Sequence, residues 1–235
     1  MTFQYTGKSI RPPIRNYSSN TFRQIPFKRF DYNNVVEFGT QPYPVGYADT
    51  IGRRPTMEDA MTIVGNFAGD NTSFYGLFDG HGGSTVSHIA AHQLYQDIAN
   101  HFDDVVTLPT TIANSIKNIN STLIDDFQDE GSTMAIAIIA QDYIYTANLG
   151  DTRIVLSDPT GDVVRLTYDH KASDIDEQIK IEDNGGSIIR GRVNGNLMIT
   201  RALGDGSLSN YLIHEPYMTK TPREDDQLLI LACDG

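Results

Sequence analysis

Between residues 133 and 166 the chain breaks into short apolar runs, 133–140, 143–149, 152–156 and 163–166, joined only by Gln141-Asp142, Gly150-Asp151 and Asp158-Pro159-Thr160-Gly161. A parallel crossover needs a dozen or more residues, so links this short predict an antiparallel meander. On either side the period becomes helical. Val86, Ile89, Ala90, Leu94 and Ile98 predict an amphipathic helix over about 84–100. Leu108, Ile112, Ile116, Ile119, Leu123 and Phe127 predict a second over about 109–128, with Pro109 suited to its first turn. Ser173, with Asp176 three residues on, predicts the cap of a third helix that Asn184-Gly185-Gly186 stops. Strands are expected over 45–52, 61–64, 74–78, 188–189 and 227–235, and the class is α+β.

At 235 residues and 39% hydrophobic, the chain can bury a sizeable core in one domain. Residues 1–34 mix Arg, Lys, Asn, Ser and Pro with scattered aromatics and show no period, so 1–40 reads as a basic extension or linker and 41–235 as the domain. No apolar run is long enough for a membrane span, and the first residues lack a signal peptide's apolar core. The expected location is therefore the cytoplasm, with the nucleus as an alternative. Cys233 is the only cysteine, which excludes an internal disulfide and a cysteine zinc site. Net charge is −12; residues 1–40 hold six Lys/Arg against two acids, and 41–235 hold twelve against twenty-eight. An acidic body repels nucleic acid, and if it processes a phosphate ester its carboxylates need local neutralisation, as by a divalent metal.

Three apolar runs end in Asp beside Gly: Phe78-Asp79-Gly80, Leu149-Gly150-Asp151 and Cys233-Asp234-Gly235. Each is also the sequence of a hairpin turn. Gathered at one edge of a β-sandwich, however, such carboxylates would raise one another's pKa values until a hard cation relieved the repulsion. Arg54, Glu58 and Asp59 read equally as a solvated charged turn or as part of a site. His88 and His92 lie four apart on the first helix, but no Glu follows His88 and both fall beside the apolar stripe, so they read as surface residues, not zinc ligands.

Arg54-Pro55-Thr56-Met57-Glu58-Asp59, Phe78-Asp79-Gly80-His81-Gly82-Gly83, Gly131-Ser132-Thr133, Asn148-Leu149-Gly150-Asp151-Thr152-Arg153, Asp169-His170-Lys171, Thr200-Arg201-Ala202-Leu203-Gly204-Asp205 and Ala232-Cys233-Asp234-Gly235 follow in order. Together they resemble the metal-dependent serine/threonine phosphatases of the protein phosphatase 2C family, from about Gly46 to Gly235. The resemblance implies two packed antiparallel sheets flanked by helices, a four-layer α-β-β-α sandwich, and hydrolysis of phosphoserine or phosphothreonine in phosphoprotein substrates. It implies that Asp79 bridges two Mg²⁺ or Mn²⁺ ions, that Glu58 and the Gly80 carbonyl help hold one and Asp234 the other, and that Asp151 with Asp234 serves a third, weaker site. Asp59 would support the cluster through metal water, Arg54 would grip the phosphate, and His81 would protonate the leaving oxygen. Residues 171–193 would flank the active site and tune selectivity.

The family pattern continues after Asp-Gly with a Trp-Asp pair and later an Asp-Asn motif, whereas this sequence stops at Gly235, and Trp is absent. By that comparison the domain reads as C-terminally incomplete, with upstream or downstream modules of a longer chain to be expected. One ion keeps Glu58, Asp79 and Gly80, while the other and the third site each lack a carboxylate. Ala172 also stands where the family usually has proline. Two functional expectations follow: a phosphatase completed by residues outside this sequence, or a catalytically inactive relative that serves as a partner-binding platform. A third reading is a non-enzymatic β-sandwich whose Asp-Gly turns coincide by chance.

Overall fold

The computed structural model describes residues 34–234, so the extension reading of residues 1–33 lies outside the described part. In chain order the elements begin with β1 (Val35–Phe38), β2 (Ala60–Gly65), β3 (Thr72–Phe78), the two-residue β4 (Gly80–His81), and helices α1 (Thr85–His101) and α2 (Leu108–Asp126). Next come β5 (Gly131–Ser132), β6 (Met134–Ala140), β7 (Tyr143–Leu149), β8 (Arg153–Ser157), β9 (Val163–Arg165) and α3 (Ile175–Asp183). Then follow β10 (Ile188–Ile189), β11 (Arg192–Val193), β12 (Leu203–Gly204), a single 3-10 turn (Gly206–Leu208), β13 (Tyr217–Pro222) and β14 (Leu228–Ala232). Among the described residues no helix is long and apolar enough to cross a membrane.

The larger sheet has the order β1-β2-β3-β6-β7-β13. Every residue of β6 is buried because both faces of this sheet are covered. Met134, Ile136, Ile138 and Ala140 pack with Val86, Ile89, Leu94, Ile112, Ile116 and Leu123 of α1 and α2. The alternating Ala135, Ala137 and Ile139 turn the other way, against Ile154, Leu156, Leu229 and Leu231 of a second sheet ordered β14-β8-β9. The described residues thus supply a helical layer and two stacked sheets. The outer face of the second sheet, with Val163, Leu228 and Ile230 at 64%, 58% and 44% exposure, carries no helix among the described residues.

The α+β class stands, with several local differences. Residues 45–52 form no strand, because the edge position beside β2 is taken by β1, which pairs with it in parallel from Val35↔Met61 to Phe38↔Val64. Part of the stretch assigned to the extension therefore joins the sheet. The predicted meander is two hairpins in different sheets: β6 pairs β7, β8 pairs β9, and the chain crosses between the sheets at Gly150-Asp151. The cap of α3 is Asp174, not Ser173; its Oδ1 accepts from Asp176 N and Glu177 N at 3.0 and 3.2 Å. His88 is buried and not on the surface: its Nε2 lies 3.3 Å from Asn34 Oδ1, and His92 Nδ1 donates to the His88 carbonyl at 2.8 Å.

A third packed unit is built around α3 and the chain before β13, where Ala172, Ile181, Val193, Ile199, Ala202, Leu208, Leu212 and Ile213 form a small core. Within it Glu177, fully buried, receives Arg201 Nη2 and Nε at 2.6 and 2.9 Å, Thr200 Oγ1 at 2.6 Å and Lys180 Nζ at 2.8 Å. Burial alone would raise its carboxyl; the bonds from Arg201, Lys180 and Thr200 outweigh that and bring it down to about 2.

Candidate metal centre

The acids predicted from the Asp-Gly endings converge where strands of both sheets finish. Asp79 follows β3; its backbone N–H donates to Thr133 Oγ1 at 3.1 Å, its carbonyl accepts from Thr133 N at 2.9 Å, and Thr133 Oγ1 lies 2.6 Å from Thr152 Oγ1. This ladder ties the end of β3 to the sheet crossover at Gly150-Asp151. Asp59 immediately precedes β2, and ligand atoms of Asp59, Asp79 and Cys233 lie within 4.8 Å of one another, with Cys233 Sγ 3.6 Å from Asp59 Oδ2.

The electrostatics are those of acids packed against one another. Burial raises the Asp79 carboxyl, the charges of Asp59, Asp234 and Asp151 raise it further, and it reaches about 7 despite the opposing effect of His81. Asp59 is also raised, first by burial and then by Asp234 and Asp49, against hydrogen bonds that favour its ionised form. Asp151 carries a counter-ion of its own, Lys171 Nζ at 3.2 Å from Oδ2.

This donor set fits hard divalent cations. It offers clustered carboxylate oxygens, and relief of their repulsion is a gain available only on binding positive charge. The backbone fits as well: a Cβ on Gly80 would stand 2.3 Å from the Glu58 carbonyl oxygen, so glycine lets the two predicted ligand segments touch. Ser87 Oγ holds that Glu58 carbonyl, and Thr56 Oγ1 donates to Glu58 Oε1 at 3.2 Å.

His81 sits on β4 and is partly buried. Burial pulls its pKa down, but the hydrogen bond and charge of Asp205, with Asp79 and Glu58, outweigh it and hold the ring above its ordinary value. Asp234 is exposed, and its charge is felt at both Asp59 and Asp79. Arg54 stands apart: it lies on the exposed turn before Glu58, its N–H donates to the Ile51 carbonyl at 3.1 Å, and among the described residues its guanidinium makes no hydrogen bond or ion pair. The sequence reading gave no role to Asp205, Thr133 or Lys171. The signal for Asp205 was present, since Leu203-Gly204-Asp205-Gly206 is a fourth apolar run ending in Gly and Asp.

Fold and site together define an α+β sandwich with a cluster of carboxylates at one end of its sheets. The chain belongs to the protein phosphatase 2C family, whose model, described as Protein phosphatase 2C, matches residues 45–235. It is 35% identical over 199 residues to Probable protein phosphatase 2C 56 of Oryza sativa subsp. japonica, covering 80% of this chain and 56% of that protein. It is 33% identical over 236 residues to Protein phosphatase 2C homolog 1 of Saccharomyces cerevisiae, covering 87% and 83%. Among solved structures, a C. elegans sex determining protein matches with TM-score 0.70 and 29% identity over 78% of this chain and 49% of that one. A serine-threonine phosphatase 2C from Toxoplasma gondii matches with TM-score 0.66 and 23% identity, covering 77% and 74%, and speaks for the fold alone. The chain spans little more than half the length of the rice relatives it matches, 56% and 60%.

Proposed function

We propose that this chain carries out metal-dependent hydrolysis of phosphoserine and phosphothreonine in proteins. The observation that carries the reading is the gathering of Asp59, Asp79, Asp151 and Asp234 at one end of the sandwich, with Asp79 raised to about 7. Family membership supplies the reaction class. The substrates are phosphoproteins, and the acidic body disfavours nucleic acid.

Asp79 would hold two Mg²⁺ or Mn²⁺ ions, Glu58 and the Gly80 carbonyl would help with one and Asp234 with the other, and Asp151 with Asp234 would serve a weaker third. When bound, such ions supply positive charge to the phosphoryl oxygens and make water nucleophilic at neutral pH. Asp59, beside Asp79, orients water by accepting its hydrogen bonds. Arg54 has a planar fork of donors with no partner among the described residues, and it is the group that clamps the phosphate. His81 gives a proton to the departing seryl or threonyl oxygen, a role to which imidazole is suited because it can be protonated at physiological pH. Residues 171–193, which include α3, flank this end through Lys171 and bear on substrate choice. A cytoplasmic or nuclear location suits such substrates.

The test is phosphate release from a phosphothreonine peptide and from p-nitrophenyl phosphate, with Mn²⁺ and with chelator. Mn²⁺-dependent turnover lost in Asp79→Asn supports the reading. Turnover that persists in chelator, or none in a folded sample with Mn²⁺, contradicts it.

A further inference from the structure

We propose that Asp205 is the positioning residue for His81: its carboxylate fixes the imidazole through Nε2 and leaves Nδ1 as the nitrogen that delivers the proton to the leaving group. The proposal deepens the phosphatase reading and rests on it.

Three very short strands bring the two residues together across the sequence. β4 pairs β5 with His81 opposite Gly131, and β5 pairs β12 with Gly131 opposite Gly204. Asp205, the residue after β12, is thereby placed beside His81, and its Oδ2 lies 2.7 Å from His81 Nε2. The Asp205 side of the pair is firmly held. Asp205 is 5% exposed, its N–H donates to the Glu130 carbonyl at 3.0 Å, and its carbonyl accepts from Leu208 N at 2.8 Å.

Two details set this contact apart from loop packing. Asp205 adopts φ 50°, a left-handed conformation that Asp enters more readily than most residues with a Cβ, and glycine stands on both sides of it. At the same time, a Cβ on Gly131 would stand 2.2 Å from Asp205 Oδ2 and 2.6 Å from His81 Nε2. The backbone of β5 is pressed against the carboxylate and the ring, and there is no room for a side chain at Gly131. The loop's structural bonds are made by the Asp205 backbone. Among the described residues, the only hydrogen bond of its carboxylate is to His81.

The chemistry follows from the two ring nitrogens. With Nε2–H donated to Asp205, the transferable proton is on Nδ1. It passes to the seryl or threonyl oxygen as that oxygen's bond to phosphorus breaks and takes the bonding electron pair, while the oxygen of water forms the new bond to phosphorus and the proton that water gives up returns through solvent to Nδ1. Asp205 gains and loses no atom; it acts through the ring by fixing its plane and tautomer.

A leaving group that needs no proton separates this role from a structural one. Asp205→Ala and Asp205→Asn are compared with wild type in Mn²⁺ on a phosphothreonine peptide, whose alkoxide leaves badly, and on 2,4-dinitrophenyl phosphate, whose phenolate leaves unaided. In Asp205→Ala, kcat on the peptide should fall by about 100-fold, the scale of one general acid, with KM nearly unchanged, while the dinitrophenyl ester loses less than about threefold. Asp205→Asn keeps an acceptor oxygen and should recover much of the peptide activity; it also carries the test if the alanine variant does not fold. Equal losses on both substrates, or no loss on the peptide, would overturn the role of Asp205 alone. A wild-type chain inactive on both substrates in Mn²⁺ would overturn the phosphatase reading and this proposal with it.

Discussion

Glu177 and Asp79 are both carboxylates withdrawn from water, and the chain treats them in opposite ways. Glu177 is met by Arg201, Lys180 and Thr200 and lies at about 2; Asp79 is met by Asp59, Asp234 and Asp151 and lies at about 7. The first is a completed ion pair that joins α3 to the segment before β12. The second is incomplete as protein alone, and the missing charge is the kind a divalent cation brings. The difference separates a carboxylate that holds the fold from one that waits for a ligand.

Breaking the completed pair gives the largest expected effect. Arg201→Leu leaves the Glu177 charge buried and should lower stability at pH 7 by about 3–5 kcal/mol in urea denaturation. The double variant Arg201→Leu/Glu177→Leu removes the stranded charge and should regain much of that loss; failure to regain any would mean that the pair is not what the site depends on.

Asp79→Asn is the mirror experiment. It should abolish the rise in thermal midpoint caused by Mn²⁺ and reduce Mn²⁺-dependent turnover by about 1000-fold. In chelator at pH 8 it should melt above wild type, because it removes a repelled charge. A variant that melts below wild type there would place Asp79 with Glu177 as a structural group.

The two carboxylates also predict opposite pH slopes. The folded-state pKa of Asp79 is raised from 3.8 to about 7, so in chelator its contribution to stability is full below 3.8 and disappears as pH rises through 7. That of Glu177 is lowered from 4.5 to about 2, so its contribution is full above 4.5 and disappears as pH falls through 2. Melting curves of wild type and Asp79→Asn between pH 5 and 8 should therefore diverge toward the alkaline end. Parallel curves would show that the acids at the sheet end do not repel as described. The smallest effect is local: Asp174→Ala removes the two bonds that cap α3 and should cost about 1 kcal/mol by chemical denaturation, without altering the response to Mn²⁺.

What could be read from the sequence divides along physical lines. α1, α2, β3, β6 and β7 bury whole faces, and their apolar period is correspondingly plain. β13 is a half-exposed edge strand of Thr, Lys and Pro, and β1 is a four-residue parallel edge; neither has an apolar run to reveal it. The split of the meander between two sheets was hidden because Gly150-Asp151 reads equally as a hairpin link. In the site, Glu58, Asp59, Asp79 and His81 stand in local motifs. The His81–Asp205 contact spans 124 positions and is made by strands of two residues, for which no local pattern exists.

The central claim is that the acids around Asp79 form a cation site that protons contest. Its most direct test is calorimetric titration of the chain with Mn²⁺ at pH 5.5 and pH 7.5, in buffers of different ionisation enthalpy. The account predicts markedly tighter binding at pH 7.5 and proton release on binding at pH 5.5, both lost in Asp79→Asn. Equal affinity at the two pH values with no proton released would contradict it.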